Sequence, residues 1–422
     1  MAKFLPYQTG ESMSTQFLYF TEVQTTIDGS ENRNPISNEL PARLFAFGYY
    51  LGDEPTAREE FDLLTGFNEE IIVPVLYEEE RINTAVLGNT RTIQGEFHLK
   101  QGQDVVIMTS QEDSDTPPEY QLNHITARTD TQIVLRDAIP SEGFPEGASI
   151  YPTAKAVRHT VPQMQRYQSN LSIYNIILKE TEFEELETEE SFDEYEGLPL
   201  LDIPPLMFIG STIIDSYDNA TEEINYHLAG PSDYFSEYKH PKKSRQLEFG
   251  FRGRSNWNKW KSFLHHCQGR FGEFYIPTYR EDFILDKSVV LGNTITLEQG
   301  SEYNTNWKKD QHIFVEYDGQ MFRTKITAVT YLFPTRRYQL TLETAVPSEV
   351  NNATDVKVGL LEHVRLNNDI VEVTYNQGEF RLFTEIITLP ADRIEAVTIL
   401  FEPQSDGEMG AEFGGEANRV AS

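Results

Sequence analysis

The chain has 422 residues, with 35 basic and 67 acidic side chains, a formal charge of −32 and 12% aromatic residues. That charge argues against sequence-independent duplex binding, which needs cations against phosphates, and it keeps the free protein soluble and self-repelling. The single cysteine, Cys267, excludes an intrachain disulfide and any zinc site built from several cysteines.

At about 100–200 residues per domain, the length predicts two to four domains, and the aromatic content suffices to build cores. No apolar run reaches the roughly 18–20 residues of a membrane helix. The opening Met1-Ala-Lys-Phe-Leu-Pro6 lacks the apolar stretch of a secretory signal.

In chain order, the first predicted helix has Thr56 as cap, Glu59 three residues on, Phe61 and Leu64 as apolar positions and Gly66 as stop. A short strand, Ile71-Ile-Val-Pro74, follows. Short alternating strands are then predicted at Asp104–Met108, Gln121–Thr126, Gln132–Leu135, Ala148–Tyr151 and Leu171–Leu178. Lys179 to Gly197 holds ten acids and one lysine, the composition of a solvated linker. Beyond it, Arg245 to Phe251 alternates apolar and polar residues. Ser255 to Gly269 predicts an amphipathic helix, with Ser255 as N-cap, Gly269 just past the end, and Trp257, Trp260, Phe263, Leu264 and Cys267 on one stripe. Phe274-Tyr-Ile-Pro277 is again a strand. Further strands are predicted at His312–Tyr317, Met321–Val329, Tyr338–Leu342, Asp355–Val358, Ile370–Tyr375, Phe380–Leu389 and Ile394–Phe401. The Gly-, Glu- and Ala-rich end predicts a flexible tail.

These elements repeat. Val86-Leu-Gly-Asn-Thr-Arg-Thr-Ile93 matches Val290-Leu-Gly-Asn-Thr-Ile-Thr-Leu297 at an offset of 204. Ile133–Pro140 matches Leu340–Pro347, and Val157-Arg158 matches Val364-Arg365, both at 207. Arg43–Gly48 matches Arg245–Gly250 at 202, and Pro74 matches Pro277 at 203. Ile27–Glu31 weakly echoes Tyr217–Thr221. Ordered matches with a slowly drifting offset predict a tandem duplication. The expected fold is mainly β with minor α, each unit a strand–helix–strand element plus a small β-barrel or sandwich. The expected boundaries are a first repeat with an N-terminal arm over 1–178, an acidic linker over 179–200, a second repeat over 201–402 and a tail over 403–422.

Chemistry is sparsely signalled. Adjacent helical residues point about 100° apart, so His265, His266 and Cys267 cannot all grip one metal, and Cys267 falls on the apolar stripe. Asp113 and Asp115 lie in a loop without EF-hand spacing. No P-loop, dinucleotide-binding, HExxH or GxSxG motif occurs. The expectation is no catalytic, cofactor-binding or metal-binding residue and no cofactor. One stretch opposes the global charge: Lys239, Lys242, Lys243, Arg245, Arg252, Arg254, Lys259 and Lys261 stand against a single Glu248. They form a candidate inter-subunit basic patch. Its candidate acidic counter-patch is Glu180, Glu182, Glu184, Glu185, Glu187, Glu189 and Glu190 of the linker.

The run Arg245-Gln-Leu-Glu-Phe-Gly-Phe-Arg, the Trp/Phe helix, Gly269-Arg-Phe-Gly-Glu-Phe-Tyr-Ile-Pro277 and Tyr279-Arg-Glu-Asp282 resembles a tail-protein family of long-tailed bacteriophages. Asp28, Gly29, Glu31 and Arg33 occupy the places of that family's opening segment, and Arg43 begins the strand after it. The first repeat departs from the pattern at Val73-Pro74-Val75-Leu76, which lacks aromatics. The resemblance implies a non-enzymatic virion protein of the tail tip or baseplate, a distal tail or hub protein. It would form a homo-oligomeric ring, a trimer or hexamer, around a channel through which DNA passes without specific contact. Its partners would be tail-tube, hub, tape-measure, and fibre or receptor-binding proteins. It would be assembled in the host cytoplasm. Two similar units per chain would let a trimer offer six near-equivalent positions to a six-fold tube. The alternatives are a tail-associated carbohydrate-active or cell-wall-degrading enzyme, and a β-rich glycan-binding adhesin.

Overall fold

A computed structural model describes residues 3–4, 13–25, 31–35, 41–51, 70–109, 119–160, 163–168, 171–182, 192–206, 215–218, 221–225, 232–236, 242–286, 291–298, 310–333, 335–352, 355–376 and 379–389. Among them the chain is mainly β, with a single α-helix. Two compact units are present, one drawn from Met1–Ile276 and His363–Pro390, the other built on Pro277–Glu362. The first unit therefore takes strands from both predicted repeats.

Eight strands of the first unit follow one another edge to edge. They are β1 (Met13–Leu18), β2 (Ala42–Leu51), β3 (Gln163–Gln168), β4 (Leu171–Glu180), β5 (Asp215–Asp218), β6 (Lys242–Arg252), β7 (Ile370–Asn376) and β8 (Glu379–Thr388). Every pairing is antiparallel, and the order is β3-β4-β2-β1-β7-β8-β6-β5. At the centre, β1 pairs with β7 along its whole length, from Met13 opposite Tyr375 to Leu18 opposite Ile370. Thr15, Phe17, Val371 and Val373 on this seam are all at most 1% exposed. In β6, alternation buries Leu247, Phe249 and Phe251, as the sequence pattern predicts.

The helix α1 (Arg254–Cys267) lies against β6. Trp257, Trp260, Phe263, Leu264 and Cys267 are buried, as the stripe predicts. Its N-terminal end differs from expectation, while Gly269, at φ 66°, lies just past the C-terminal end as predicted. Gly253, at φ 85°, is the N-cap, so Ser255 already lies within the helix. Gln268 takes the left-handed conformation that closes the last turn, one residue before Gly269. Trp257 packs on Tyr77, Phe17 and Phe380, with ring centroids 4.8, 5.9 and 5.5 Å away.

Two small five-stranded domains share one strand order. In the first unit it is Thr92–Gln94, Gln132–Leu135, Tyr120–Thr129, Asp104–Met108, Ser149–Arg158. In the second unit it is Thr294–Thr296, Arg337–Leu342, Gln320–Leu332, His312–Tyr317 and the first part of Val356–Leu366, up to Glu362. Each carries a β-bulge at a matching place, between Ile125 and Ala127 opposite Leu135–Val134, and between Ile326 and Ala328 opposite Leu342–Thr341. Ile125 and Ile326 both anchor their domain's core at 0% exposure.

Several strands run longer than predicted. Ser149–Arg158 continues through Pro152 because its second half gains new partners, Ile71–Pro74 and the end of β4. Val356–Leu366 continues through Gly359, where a Cβ would stand 2.4 Å from the Arg280 carbonyl oxygen. The acid-rich stretch is not one uniform linker. Its first residues, Lys179 and Glu180, complete β4, and Glu194–Tyr195 forms a hairpin with Leu198–Pro199. The predicted helix over Thr56–Gly66, the loop at Asp113 and Asp115, the strand Ile394–Phe401 and the 403–422 tail lie outside the described residues.

Candidate functional site

Buried charge in the first unit gathers beside the β1–β7 seam and under α1. Glu78 ends a single 3-10 turn, Leu76–Glu78, and is 1% exposed. Its carboxylate accepts from Arg254 Nη2 at 2.6 Å, Lys261 Nζ at 2.8 Å and Trp257 Nε1 at 3.4 Å. Arg254, Trp257 and Lys261 lie three and four residues apart on one helix face, so α1 presents all three donors together. Burial alone pushes the Glu78 carboxyl up, but Arg254, Lys261 and Arg43 outweigh it and hold the group well below the usual carboxylate range. Beside it, Arg43 of β2 grips Glu180 at the end of β4, with Nε at 2.7 Å and Nη2 at 2.5 Å, and donates to the Tyr77 hydroxyl at 3.2 Å. Such a cluster leaves no buried charge unpaired, the condition under which burying ions is tolerated.

Glu31 forms a second cluster. It accepts from Arg365 Nε at 2.6 Å and Nη2 at 2.9 Å, and from Lys242 Nζ at 2.8 Å. Burial works against its ionised form, yet Arg365 and Lys242 bring its pKa down to about 2. Arg33 in the same strand pairs with Glu273 and donates to the Phe271 carbonyl at 2.8 Å.

Asp369 forms a third. Its carboxylate accepts from the Thr21 amide at 3.1 Å and from the Arg270 amide and Nε, both at 3.0 Å. Gly269 explains the Gly-Arg pair of the sequence motif: φ is +66°, and a Cβ there would stand 2.5 Å from Asp369 Oδ1 and 2.7 Å from Tyr19 Cβ. Arg270 also donates to the Thr21 carbonyl at 2.8 Å. In all three clusters residues from the first part of the chain meet residues from beyond Lys242.

Most of the predicted basic patch is engaged within the chain. Six of the eight basic residues are paired within the chain: Lys242 with Glu31, Lys243 and Arg245 with Asp215, Arg252 with Glu379, and Arg254 and Lys261 with Glu78. Lys259 is exposed, and Lys239 lies outside the described residues. Of the acidic counter-patch, Glu180 is buried against Arg43 and the exposed Glu182 pairs with Lys155 at 2.8 Å. Glu184, Glu185, Glu187, Glu189 and Glu190 lie outside the described residues. Among the described residues no ion pair joins the two patches. Sequence reasoning missed Glu78 and Asp369 as partners. The helical spacing of Arg254, Trp257 and Lys261 was the available signal for Glu78, since it places two cations on the buried stripe.

Cys267 is buried, and its thiol pKa is pushed up by that burial. His265 is half-buried, and that burial, with Lys261 and Arg43 nearby, lowers its pKa to about 3. Among the described residues no three His, Cys, Asp or Glu side chains converge as a metal site. A surface cleft of about 860 Å³ is lined in part by Glu248, Asp369, Ile370, Glu372, Phe383 and Glu385. Asp369 there is already engaged by Arg270 and Thr21. Glu78 is 1% exposed, so its carboxylate meets Arg254, Trp257 and Lys261 inside the unit. No protein-family model matches the chain, and no curated protein sequence matches it.

Proposed function

We propose that this chain is a non-enzymatic structural protein of a bacteriophage tail tip or baseplate. Its copies close into a ring that joins the tail tube to the receptor-binding tip and surrounds the DNA channel. The observation that carries the reading is the recurrence of one strand order. β3-β4-β2-β1 is followed edge to edge by β7-β8-β6-β5, so each strand has a counterpart four labels on. The matching bulges of the two small domains point the same way. A tandem duplication accounts for both, and it makes one chain a fragment of a head-to-tail array. Arrays of that kind close into rings when the rotation between units allows it. The phage-tail motifs agree: Gly269, Arg270, Glu31 and Arg33 all sit at joints between the earlier and later parts of the chain.

Negative-stain electron microscopy of the purified chain tests this reading. Rings with an axial opening are the expected result. Isolated particles that release dye from labelled cell wall or polysaccharide would contradict it in favour of a tail-associated hydrolase.

A further inference from the structure

Phe249 and Phe251 turn one face of β6 toward Trp260 of α1. The opposite face of β7, β8 and β6 contributes to the cleft of about 860 Å³. Alternation along β8 buries Leu382 and Thr384 and leaves Phe383 between them 47% exposed. Register sets its neighbours: Glu372 of β7 is opposite Phe383 on one side, and Glu248 of β6 is opposite it on the other. Directly opposed residues on adjacent strands have Cβ atoms about 4.5–5.5 Å apart. One aromatic side chain is thus flanked by two carboxylates in a single row. Glu385 follows two residues along β8, opposite Gln246, and Ile370, 54% exposed, lies two residues before Glu372. Leu206 lines the cleft beside β6, where its amide donates to the Glu248 carbonyl at 2.7 Å. All these residues belong to the first unit.

The carboxylates of the cleft are incompletely matched. Glu248 Oε1 is shielded from solvent and accepts no hydrogen bond, with Arg381 Nη1 3.6 Å away. Glu372 and Glu385 have no ion pair among the described residues. The cation that lines the cleft, Arg270, is held by Asp369 at 3.0 Å. A purely apolar occupant would strip water from these carboxylates without replacing it.

We propose that this cleft binds a segment of a different protein that carries arginine or lysine among apolar residues. The stem of such a side chain is apolar and lies against Phe383 and Ile370, while its charged end reaches Glu248, Glu372 or Glu385. Charge selects the partner. At −32 a second copy of this chain is repelled, and six of the eight cations in its basic stretch are already engaged internally. A cationic partner is drawn toward the cleft instead. The cleft lies within one chain, so this contact does not depend on ring closure.

Fluorescence anisotropy with two labelled peptides tests the contact. One peptide alternates arginine with leucine and serine; the other has glutamate in place of each arginine. The full chain is expected to bind the first and not the second. Phe383→Ala, and Glu372→Gln combined with Glu385→Gln, should each weaken binding about tenfold or more, as for residues central to a contact. All three side chains are partly exposed, and an unchanged melting temperature verifies that the variants fold. Glu96→Gln combined with Glu146→Gln removes the same charge from exposed sites on the first small domain and should leave binding unchanged. Equal losses in the cleft pair and this control pair would mean that the peptide senses overall charge alone, which overturns the proposal. Binding of both peptides alike, or of neither, overturns it too. Sedimentation over a range of concentrations covers the remaining occupant: self-association that is lost in Phe383→Ala would assign the cleft to a second copy and also overturn the proposal.

Discussion

The two halves of the eight-stranded sheet share strand order but differ in how they place charge. Arg43 and Arg245 open counterpart strands, yet Arg43 draws its carboxylate from the end of β4, and Arg245 draws Asp215 from β5 at 2.7 Å. The earlier part of the chain supplies the buried carboxylates Glu31 and Glu78. The later part supplies Lys242, Arg254, Lys261 and Arg365 to meet them. Hydrophobic alternation maintains the common strand order, while the charges differ between the halves. Arg33 and Glu273 pair in the opposite sense, with the cation from the earlier part of the chain.

The most damaging way to break that joint is Glu78→Gln. It leaves Arg254 and Lys261 buried beside a neutral amide, and the expected cost is about 3–5 kcal/mol, read as a large fall in melting temperature of the whole chain. Next come the two small domains, whose likeness can be sharpened with a matched pair. Ile125→Ala and Ile326→Ala each remove a core side chain at the bulge, and each is expected to cost about 2–5 kcal/mol. Hydrogen exchange should place each loss in its own domain; a loss at only one site would separate the two domains energetically.

Acid probes the joint more gently. The pKa of His265 is lowered from 6.5 to about 3, so below 6.5 the unfolded chain takes up a proton that the folded chain refuses. Its contribution is full above that pH and is lost as pH falls. Glu31, lowered from 4.5 to about 2, contributes fully above 4.5 and loses its share below it, and Glu78 has the same sign. Melting temperature should thus fall in two stages from pH 7 to pH 3, and His265→Gln should remove the upper stage. The smallest effect is expected at Arg252→Ala. Its partner Glu379 is 43% exposed and Arg252 itself 77%, so the change should stay within about 0.5 kcal/mol.

Much of the fold was legible because alternation and helical spacing report burial directly. Asp104–Met108, Gln132–Leu135 and His312–Tyr317 occur with the predicted bounds, and the Trp257–Cys267 stripe is buried. Strand ends were harder, since Pro152 and Gly359 look like stops and become tolerable only through particular neighbours. The weak match of Ile27–Glu31 to Tyr217–Thr221 lies largely outside the described residues. Thr21–Thr25 pairs with Glu31–Pro35 just after β1, and Thr221–Asn225 pairs with Ser232–Ser236 just after β5. The charged joint was largely hidden. Glu78 sits in Glu78-Glu79-Glu80, a run that reads as solvated surface, and Glu180 opens a still longer acidic run. Composition records how many charges a segment carries, whereas their burial depends on partners 137 to 183 residues away.

Native mass spectrometry of the purified chain, at low and then high salt, tests the central claim most directly. The account predicts a closed oligomer of one fixed number, a trimer or a hexamer. A chain that remains monomeric at every concentration and salt would contradict it.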